Sequence, residues 1–273
     1  MNDIPKFVKW AGGKGQLIEQ FKSLFPKKIE RYIEPFVGSG AVLFYVLENY
    51  SPKEVIIIDI NDELMTTYNV IKENVEELIK KLKQHKNSHN KEYYYKIRDL
   101  DPKQLNNVDK AARFIYLNKT CFNGLYRVNS KGKFNVPIGS YKNPDVVQED
   151  KLKKIFGLLK NVIIKSESFE NVIKYAKKGD FIYLDPPYYP LRKGKSFTSY
   201  TDGNFLEKEQ EKLAEVFAKL TKTGCLCMES NSDTEFIKKL YFKYKLTTVH
   251  ATRLVNCRPE GRGLVTEVVI RNY

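Results

Sequence analysis

Asp185-Pro186-Pro187-Tyr188 follows directly on Phe181-Ile182-Tyr183-Leu184, a run with the character of a buried strand. Two prolines after a strand hold the backbone and leave carbonyl oxygens with no neighbouring N–H competing for them. Asp185 adds an acceptor and Tyr188 a flat face. Such a set suits a planar substrate carrying an NH2 group, whose hydrogens go to the acceptors while its ring stacks on the aromatic. A Pro-Pro strand terminator with an incidental Tyr is the structural alternative.

A second constellation is Glu34-Pro35-Phe36-Val37-Gly38-Ser39-Gly40, a carboxylate at a strand end followed by a glycine turn into a helix. Glycines let backbone approach a ligand closely, and a helix N-terminus offers unpaired N–H groups. The dinucleotide fingerprint is excluded, because no third glycine stands at the required place. A tight turn without a ligand remains the alternative for this motif alone. Asp59, ending the next strand, favours a nucleoside, since a carboxylate there can accept from both ribose hydroxyls. Trp10-Ala11-Gly12-Gly13-Lys14-Gly15 resembles a phosphate loop only superficially: the first Gly of G-x-x-x-x-G-K-S/T is missing, and Gly15 replaces its Ser or Thr. Cys121, Cys225, Cys227 and Cys257 form no C-x-x-C pair and read as buried free thiols. His85 and His89 lie four apart with no acid at ligand spacing, so no metal site is expected, and His250 reads as a satisfied strand residue.

Elements that would position these residues alternate along the chain. Lys14 to Phe25 has the apolar spacing of an amphipathic helix, and Arg31 to Glu34 is extended. Ala41 to Glu48 is helical, and Val55 to Asp59 is a β-branched strand followed by an Asn61-Asp62 cap. Met65 to Thr120 is helical and lysine-rich, clearest over Glu73 to Leu82 and Lys110 to Thr120. Tyr126 to Val128 and Phe134 to Val136 then read as hairpin arms around an Asn129 to Lys133 turn. Strand and helix alternate again from Val162 through Phe169–Ala176, Asp180–Asp185, Leu206–Thr221, Cys225–Glu229, Asp233–Tyr241, Leu246–Ala251 and Leu264–Ile270. The pattern is one α/β domain interrupted by an insertion.

Composition narrows the partners. With 42% hydrophobic and 13% aromatic residues in 273, the chain can bury a full core and is no disordered tail. Of a net charge of +14, +10 falls between Met65 and Lys160, where 20 basic side chains face 10 acidic ones. Such a surplus implies a polyanion, nucleic acid or an acidic membrane surface. No apolar run reaches the ~18 residues of a membrane span, and the first ten residues lack the apolar stretch of a secretory signal. A cytoplasmic protein is expected.

Taken in order, Lys9-Trp10-Ala11-Gly12-Gly13-Lys14, Glu34 to Gly40, Asp59, Phe122-Asn123-Gly124-Leu125-Tyr126-Arg127, Phe134-Asn135-Val136-Pro137 and Asp185 to Tyr188 resemble the Dam family of DNA adenine-N6 methyltransferases, also called the D12 class. The resemblance covers essentially the whole chain. Each motif is weak alone; their joint order is specific.

The resemblance implies a Rossmann-like methyltransferase sheet, residues 1–64 and 161–273, with an inserted helical plus β-hairpin target-recognition domain, residues 65–160. It implies S-adenosyl-L-methionine as methyl donor and no metal, with Trp10, Lys14, Glu34, Phe36, Gly38, Gly40, Asp59 and Asp185 at the donor. Asp185, Pro186, Pro187 and Tyr188 would carry catalysis on an adenine flipped out of duplex DNA. Lys9, Phe122, Asn123, Leu125, Arg127 and Pro137 match DNA-contacting positions: Phe122 a wedge near the target base, Arg127 a guanine reader, Leu125 suited to a thymine methyl. Lys14 as a solvated helix-start lysine, and Phe122 and Leu125 as core residues of a helix end, are the alternatives. Insertion lysines such as Lys119, Lys131, Lys133 and Lys142 would meet phosphates. The implied target is GATC, with other GAT-containing sites as alternatives. Lys195 to Asn204 could close over the base or be a surface loop, and Arg253 to Gly263 departs from the Ser-rich loop expected there. Expected partners are double-stranded DNA and no membrane; a cognate restriction endonuclease in the same system, and the choice between monomer and weak dimer, are left open. Competing functions are adenine methylation in RNA, glutamine methylation in a protein, and a non-catalytic DNA-binding protein on a methylase fold.

Overall fold

A computed structural model describes residues 4–10, 12–190, 205–252 and 264–273. The Lys195 to Asn204 segment, the Arg253 to Gly263 loop and Cys257 fall outside them. The strands are β1 (Arg31–Pro35), β2 (Glu54–Asp59), β3 (Val162–Ser166), β4 (Phe181–Leu184), β5 (Leu226–Ser232), β6 (Lys245–Thr252) and β7 (Leu264–Arg271). They form one seven-stranded sheet in the order β3-β2-β1-β4-β5-β7-β6. β3, β2, β1, β4 and β5 run parallel, while β7 lies antiparallel between β5 and β6.

Successive strand residues point to opposite faces, and both faces here are covered. Tyr32, Val55, Ile57, Phe181 and Tyr183 join one core, whereas Ile33, Ile56, Ile58, Ile182 and Leu184 join the other. This explains why these strands read as continuous apolar runs. The first core also takes α2 (Ala41–Tyr50) and α3 (Asp62–Glu73); the second takes α9 (Glu207–Thr223) and α10 (Glu235–Leu240). The remaining helices are α1 (Ile18–Phe21), α4 (Val75–Asn87), α5 (Lys91–Asp99), α6 (Asn107–Thr120), α7 (Glu149–Leu159) and α8 (Val172–Tyr175).

Asn side chains start three of the helices. Asn61 caps α3 through Leu64 N (3.0 Å), Asn90 caps α5 through Tyr93 N (2.8 Å), and Asn106 caps α6 through Asp109 N (2.9 Å). Each such cap contributes ~1 kcal/mol. Asn74 divides the helical stretch expected over Glu73 to Leu82 into α3 and α4. Buried Arg113 fastens α6 to its neighbours, donating to Ile97 O (3.1 Å), Arg98 O (2.9 Å) and Glu63 (2.9 Å). Removing one partner of so buried a pair costs ~3–5 kcal/mol.

The helix expected over Lys14 to Phe25 is only a 3-10 turn at Lys14–Gln16 followed by the four-residue α1. Leu17, Ile18, Phe21, Leu24 and Phe25 are nevertheless all buried, so the spacing reported the buried face correctly. What shortens the helix is its beginning, where three glycines flank Lys14 and that side chain turns inward.

Candidate active site and DNA-facing surface

The carboxyl ends of β1, β2 and β4 meet at the point where the strand order reverses direction, the usual ligand crevice of such sheets. After β1 the chain makes a turn in which Phe36 (φ 66°), Gly38 (φ 50°) and Gly40 (φ 74°) are all left-handed. Gly40 is required at the start of α2: a Cβ there would lie 2.6 Å from the Tyr68 hydroxyl and 2.9 Å from Phe44. At Gly38 a Cβ would lie 2.9 Å from the Trp10 indole, so that ring rests directly on the turn. Tyr68 donates to Gly38 O (2.9 Å), and Asp59 accepts from the Gly38 (3.2 Å) and Asn61 (3.0 Å) amides. Burial pushes the Asp59 carboxyl up, and those amides oppose the shift. Glu34 lies beneath the turn, 2% exposed, accepting from Tyr32 OH (2.8 Å); burial pushes its carboxyl well above the ordinary range. Phe36 stacks on Phe169 at 5.0 Å. Ile60, next to Asp59, is 63% exposed.

At the end of β4, Asp185 lies 2.8 Å from the ammonium of buried Lys14, a contact with the distance of an ion pair but not the direction of a hydrogen bond. Lys14 also donates to Gly12 O (2.6 Å) and sits 4.5 Å from the Tyr188 ring centre. Burial pushes the Asp185 carboxyl up to about 6, opposed by Lys14 and reinforced by Glu267. Lys14 is therefore no solvated helix-start lysine. The residues after Asp185 are tied from behind: Pro187 O accepts from Gln210 (3.0 Å), Tyr189 N donates to Asn231 (3.4 Å), and Tyr188 OH donates to Glu267 (2.6 Å). Asn231 in turn donates to Gln210 (2.9 Å) and to Glu229 (3.0 Å), which also accepts from Tyr241 (2.7 Å). Glu229 is fully buried, which pushes its carboxyl up to about 8. None of these supporting residues was singled out from the sequence. Gln210 sits on a helix and Asn231 and Glu267 on strands, with no motif around them, and they meet the site only through the fold.

The hairpin forms around the Asn129 turn, whose side chain accepts from Lys131 N (3.0 Å) and Lys133 N (3.1 Å). Its arms pair through the single bridge Val128–Phe134 rather than a full ladder. Tyr126, Phe134 and Val136 are buried on the inner side, while Phe122, Asn123, Arg127 and Pro137 are exposed outward. Phe122 N–H donates to Pro137 O (2.9 Å), and Asn123 is left-handed at φ 55°. Leu125 is half-buried against the core. Arg127 donates across the arms to Asn135 (2.7 Å). Phe122, 46% exposed, is not a core residue.

One short segment links the two groups. Lys9 exchanges two hydrogen bonds with the Asn118 side chain (2.7 and 2.8 Å), and its ammonium donates to Tyr141 OH (3.0 Å). Trp10 stacks on Tyr126 of the hairpin at 5.7 Å while its other edge meets Gly38. Lys119 corrects the expectation of a phosphate contact: it is 8% exposed and donates to Gln148 (2.8 Å), and burial pushes it down to about 8. It lies on the last turn of α6, whose residues from Ala111 to Thr120 are all buried. Lys131, Lys133 and Lys142 are exposed. Cys121, Cys225 and Cys227 are buried free thiols. His85 and His89 bond to Tyr93 OH and Tyr116 OH, each at 2.8 Å, and no group of metal-binding side chains occurs among the described residues. In β6, His250 is bonded through its backbone to both ends of the Gln20 amide (2.9 and 2.8 Å). No helix among the described residues is long and apolar enough to cross a membrane.

The doubly wound sheet thus carries an acidic, proline-braced strand end beside a glycine turn, and comparison with known proteins gives the class of protein. The profile of the D12 class N6 adenine-specific DNA methyltransferases matches residues 10–255. The chain is 46% identical over 288 residues to the Type II methyltransferase M.MjaIII of Methanocaldococcus jannaschii, spanning 99% of this chain and 100% of that protein. It is 40% identical to the Type II methyltransferase M1.LlaDCHI of Lactococcus lactis subsp. cremoris, over 99% of this chain and 96% of that one. The DNA adenine methylase of Haemophilus influenzae is 34% identical, over 96% of this chain and 92% of its own. The chain belongs to the D12 class of adenine-specific DNA methyltransferases and has a Rossmann-like methyltransferase fold. It is an enzyme that methylates adenine in DNA, which sets aside RNA, protein glutamine and a non-catalytic role.

Proposed function

We propose that the protein transfers methyl from S-adenosyl-L-methionine to N6 of an adenine flipped out of duplex DNA, within GATC. Residues 1–64 and 161–273 form the catalytic part, and residues 65–160 the target-recognition part. The observation that carries this reading is the end of β4, where a partly buried carboxylate, a proline-braced backbone and an aromatic ring are gathered beside the glycine turn.

The donor's fit rests on the turn. Gly38 and Gly40 leave backbone where a Cβ would collide with Trp10 or Tyr68, and Asp59 keeps acceptor capacity beyond its two amide bonds. Trp10, Phe36 and Lys14 line the same crevice, and Glu34 supports it from below. Bound there, S-adenosyl-L-methionine supplies a methyl group made electrophilic by its sulfonium. The protein's own residues prepare the base. An adenine N6 lone pair is delocalised into the ring; the Asp185 carboxylate and Pro186 carbonyl accept its two hydrogens, draw the nitrogen toward tetrahedral geometry and free the pair. Once N6 carries the methyl and its positive charge, it would lose one proton to Asp185 or water. With no nucleophilic side chain involved, catalysis rests on orientation and fixed dipoles. Tyr188 stacks on the base, a contact contributing ~1–3 kcal/mol.

On the DNA side, Phe122 wedges into the stack, while Asn123, Leu125, Arg127 and Pro137 meet base edges. Lys9 reaches the recognition sequence, and Lys131, Lys133 and Lys142 meet phosphates. The enzyme acts in the cytoplasm as a monomer or weak dimer, and its methylation would protect these sites from a cognate restriction endonuclease where one accompanies it. The test is incubation with tritiated S-adenosyl-L-methionine and duplexes carrying GATC or a single-base variant. Label on GATC alone is expected. Label on none would sink the donor and substrate together, and equal label on all would sink GATC.

A further inference from the structure

Tyr188 is held at both ends, but by different means. Its main chain is flanked by the bonds from Gln210 to Pro187 O and from Tyr189 N to Asn231, whereas its far end depends on the 2.6 Å bond from its hydroxyl to Glu267 Oε2. Backbone bonds fix where the ring starts; they do not fix its plane, which two side-chain torsions leave free. Glu267 is 79 residues away in sequence and arrives on β7, paired with Ser232 of β5 on one side and Val249 of β6 on the other. It occupies a central position in an antiparallel strand, so its own backbone is fixed by neighbours on both sides. It shares its strand face with Val269, which packs in the same core as Tyr183 of β4. Lys14, 4.5 Å from the ring centre, adds a cation on the same ring.

We propose that Glu267 is a positioning residue of the active site: by accepting the Tyr188 hydroxyl hydrogen it sets the ring plane on which the target base stacks. This rests on the proposed stacking role of Tyr188. The bond lies at the rim of the ring rather than on its face, so Glu267 constrains orientation without competing for the stacking surface. Its loss is therefore read in the rate of methyl transfer and not in affinity for DNA.

The test is a double-mutant cycle on Glu267→Ala and Tyr188→Phe in the full chain. It uses single-turnover methyl transfer to a GATC duplex at saturating S-adenosyl-L-methionine, with duplex Kd and melting temperature measured alongside. Each single variant is expected to slow transfer on the order of tenfold, the range of a hydrogen bond to a charged group. The double variant should be no slower than either single one, and duplex Kd should stay within about twofold. Glu267→Gln, whose amide oxygen still accepts, should recover most of the loss. Losses that multiply in the double variant would overturn the inference, as would a Glu267→Ala protein that melts earlier yet transfers methyl at the unsubstituted rate. If Glu267→Ala does not fold, Tyr188→Phe decides: an unchanged rate means the hydroxyl bond positions nothing. Absence of transfer by the unsubstituted protein would sink the function and this inference together, whereas normal transfer with multiplying losses would sink the inference alone.

Discussion

At the end of β4 nearly every functional group is held from behind. Asp185 faces a buried ammonium, Pro187 and Tyr189 are tied to Gln210 and Asn231, and three of the nearest carboxyls, Asp185, Glu34 and Glu229, are pushed up by burial. The hairpin is built the other way. Its arms share one bridge, and Phe122, Asn123, Arg127 and Pro137 stand exposed, with the Arg127 side chain bonded, among the described residues, to Asn135 across the arms. Under the proposed function, the contrast follows from what each surface must do. Chemistry on a poorly nucleophilic amine needs groups fixed in geometry and in protonation state before the substrate arrives. Reading base edges needs side chains that meet a large partner from solvent, with the scaffold fixed only on the inner side, where Tyr126, Phe134 and Val136 pack.

That division can be broken experimentally. Asp185→Ala should lower methyl transfer on the order of 10³-fold while duplex binding, followed by fluorescence anisotropy, changes only slightly; a parallel loss of both would mean that the two surfaces are not separate. Arg127→Ala should do the opposite, leaving the melting temperature unchanged and removing ~1–3 kcal/mol of discrimination at one guanine. Rates on single-base variants of the site measure this, and a uniform loss on all of them would make Arg127 a phosphate contact. A smaller and sharper effect concerns pH. In the proposed mechanism Asp185, pushed up to about 6, must be ionised to accept from N6. Above pH 6 the carboxylate predominates; below it protonation removes the acceptor, so kcat/KM should fall by about tenfold per pH unit. A profile flat down to pH 5 would show that the ionised form is not needed, whereas duplex Kd at constant salt should be nearly level over the same range.

The two surfaces also differed in how readily the sequence disclosed them. Gly38, Gly40, Pro186 and Pro187 have backbone reasons for their identity, so the turn and the braced strand end could be read directly. The hairpin was legible for the same reason, through the Asn129 to Lys133 turn. What could not be read were partners supplied by tertiary contact. Glu267 and Asn231 look like ordinary strand residues, and Gln210 like a helix-surface residue, until β5, β7 and α9 bring them behind Tyr188. Lys119 shows the converse: in a lysine-rich stretch it looks like a phosphate contact, but its place on the buried last turn of α6 turns it inward to Gln148. The shortened helix after Lys14 failed for a local reason, since apolar spacing reports which side is buried and not how many turns are continuous.

Lys9 and Lys14 are two fixed points a short way apart along the chain. One end is clamped to Asn118 beside the hairpin, and five residues on the other end reaches Asp185 at 2.8 Å, with Trp10 wedged between Tyr126 and Gly38. A residue of extended chain spans at most ~3.3–3.6 Å, more than the whole length of either polar contact. Removing a residue between Lys9 and Lys14 is therefore expected to strain one contact or the other more than a substitution there does. The spacing of Lys9 and Lys14, as well as their identity, is what the two contacts depend on.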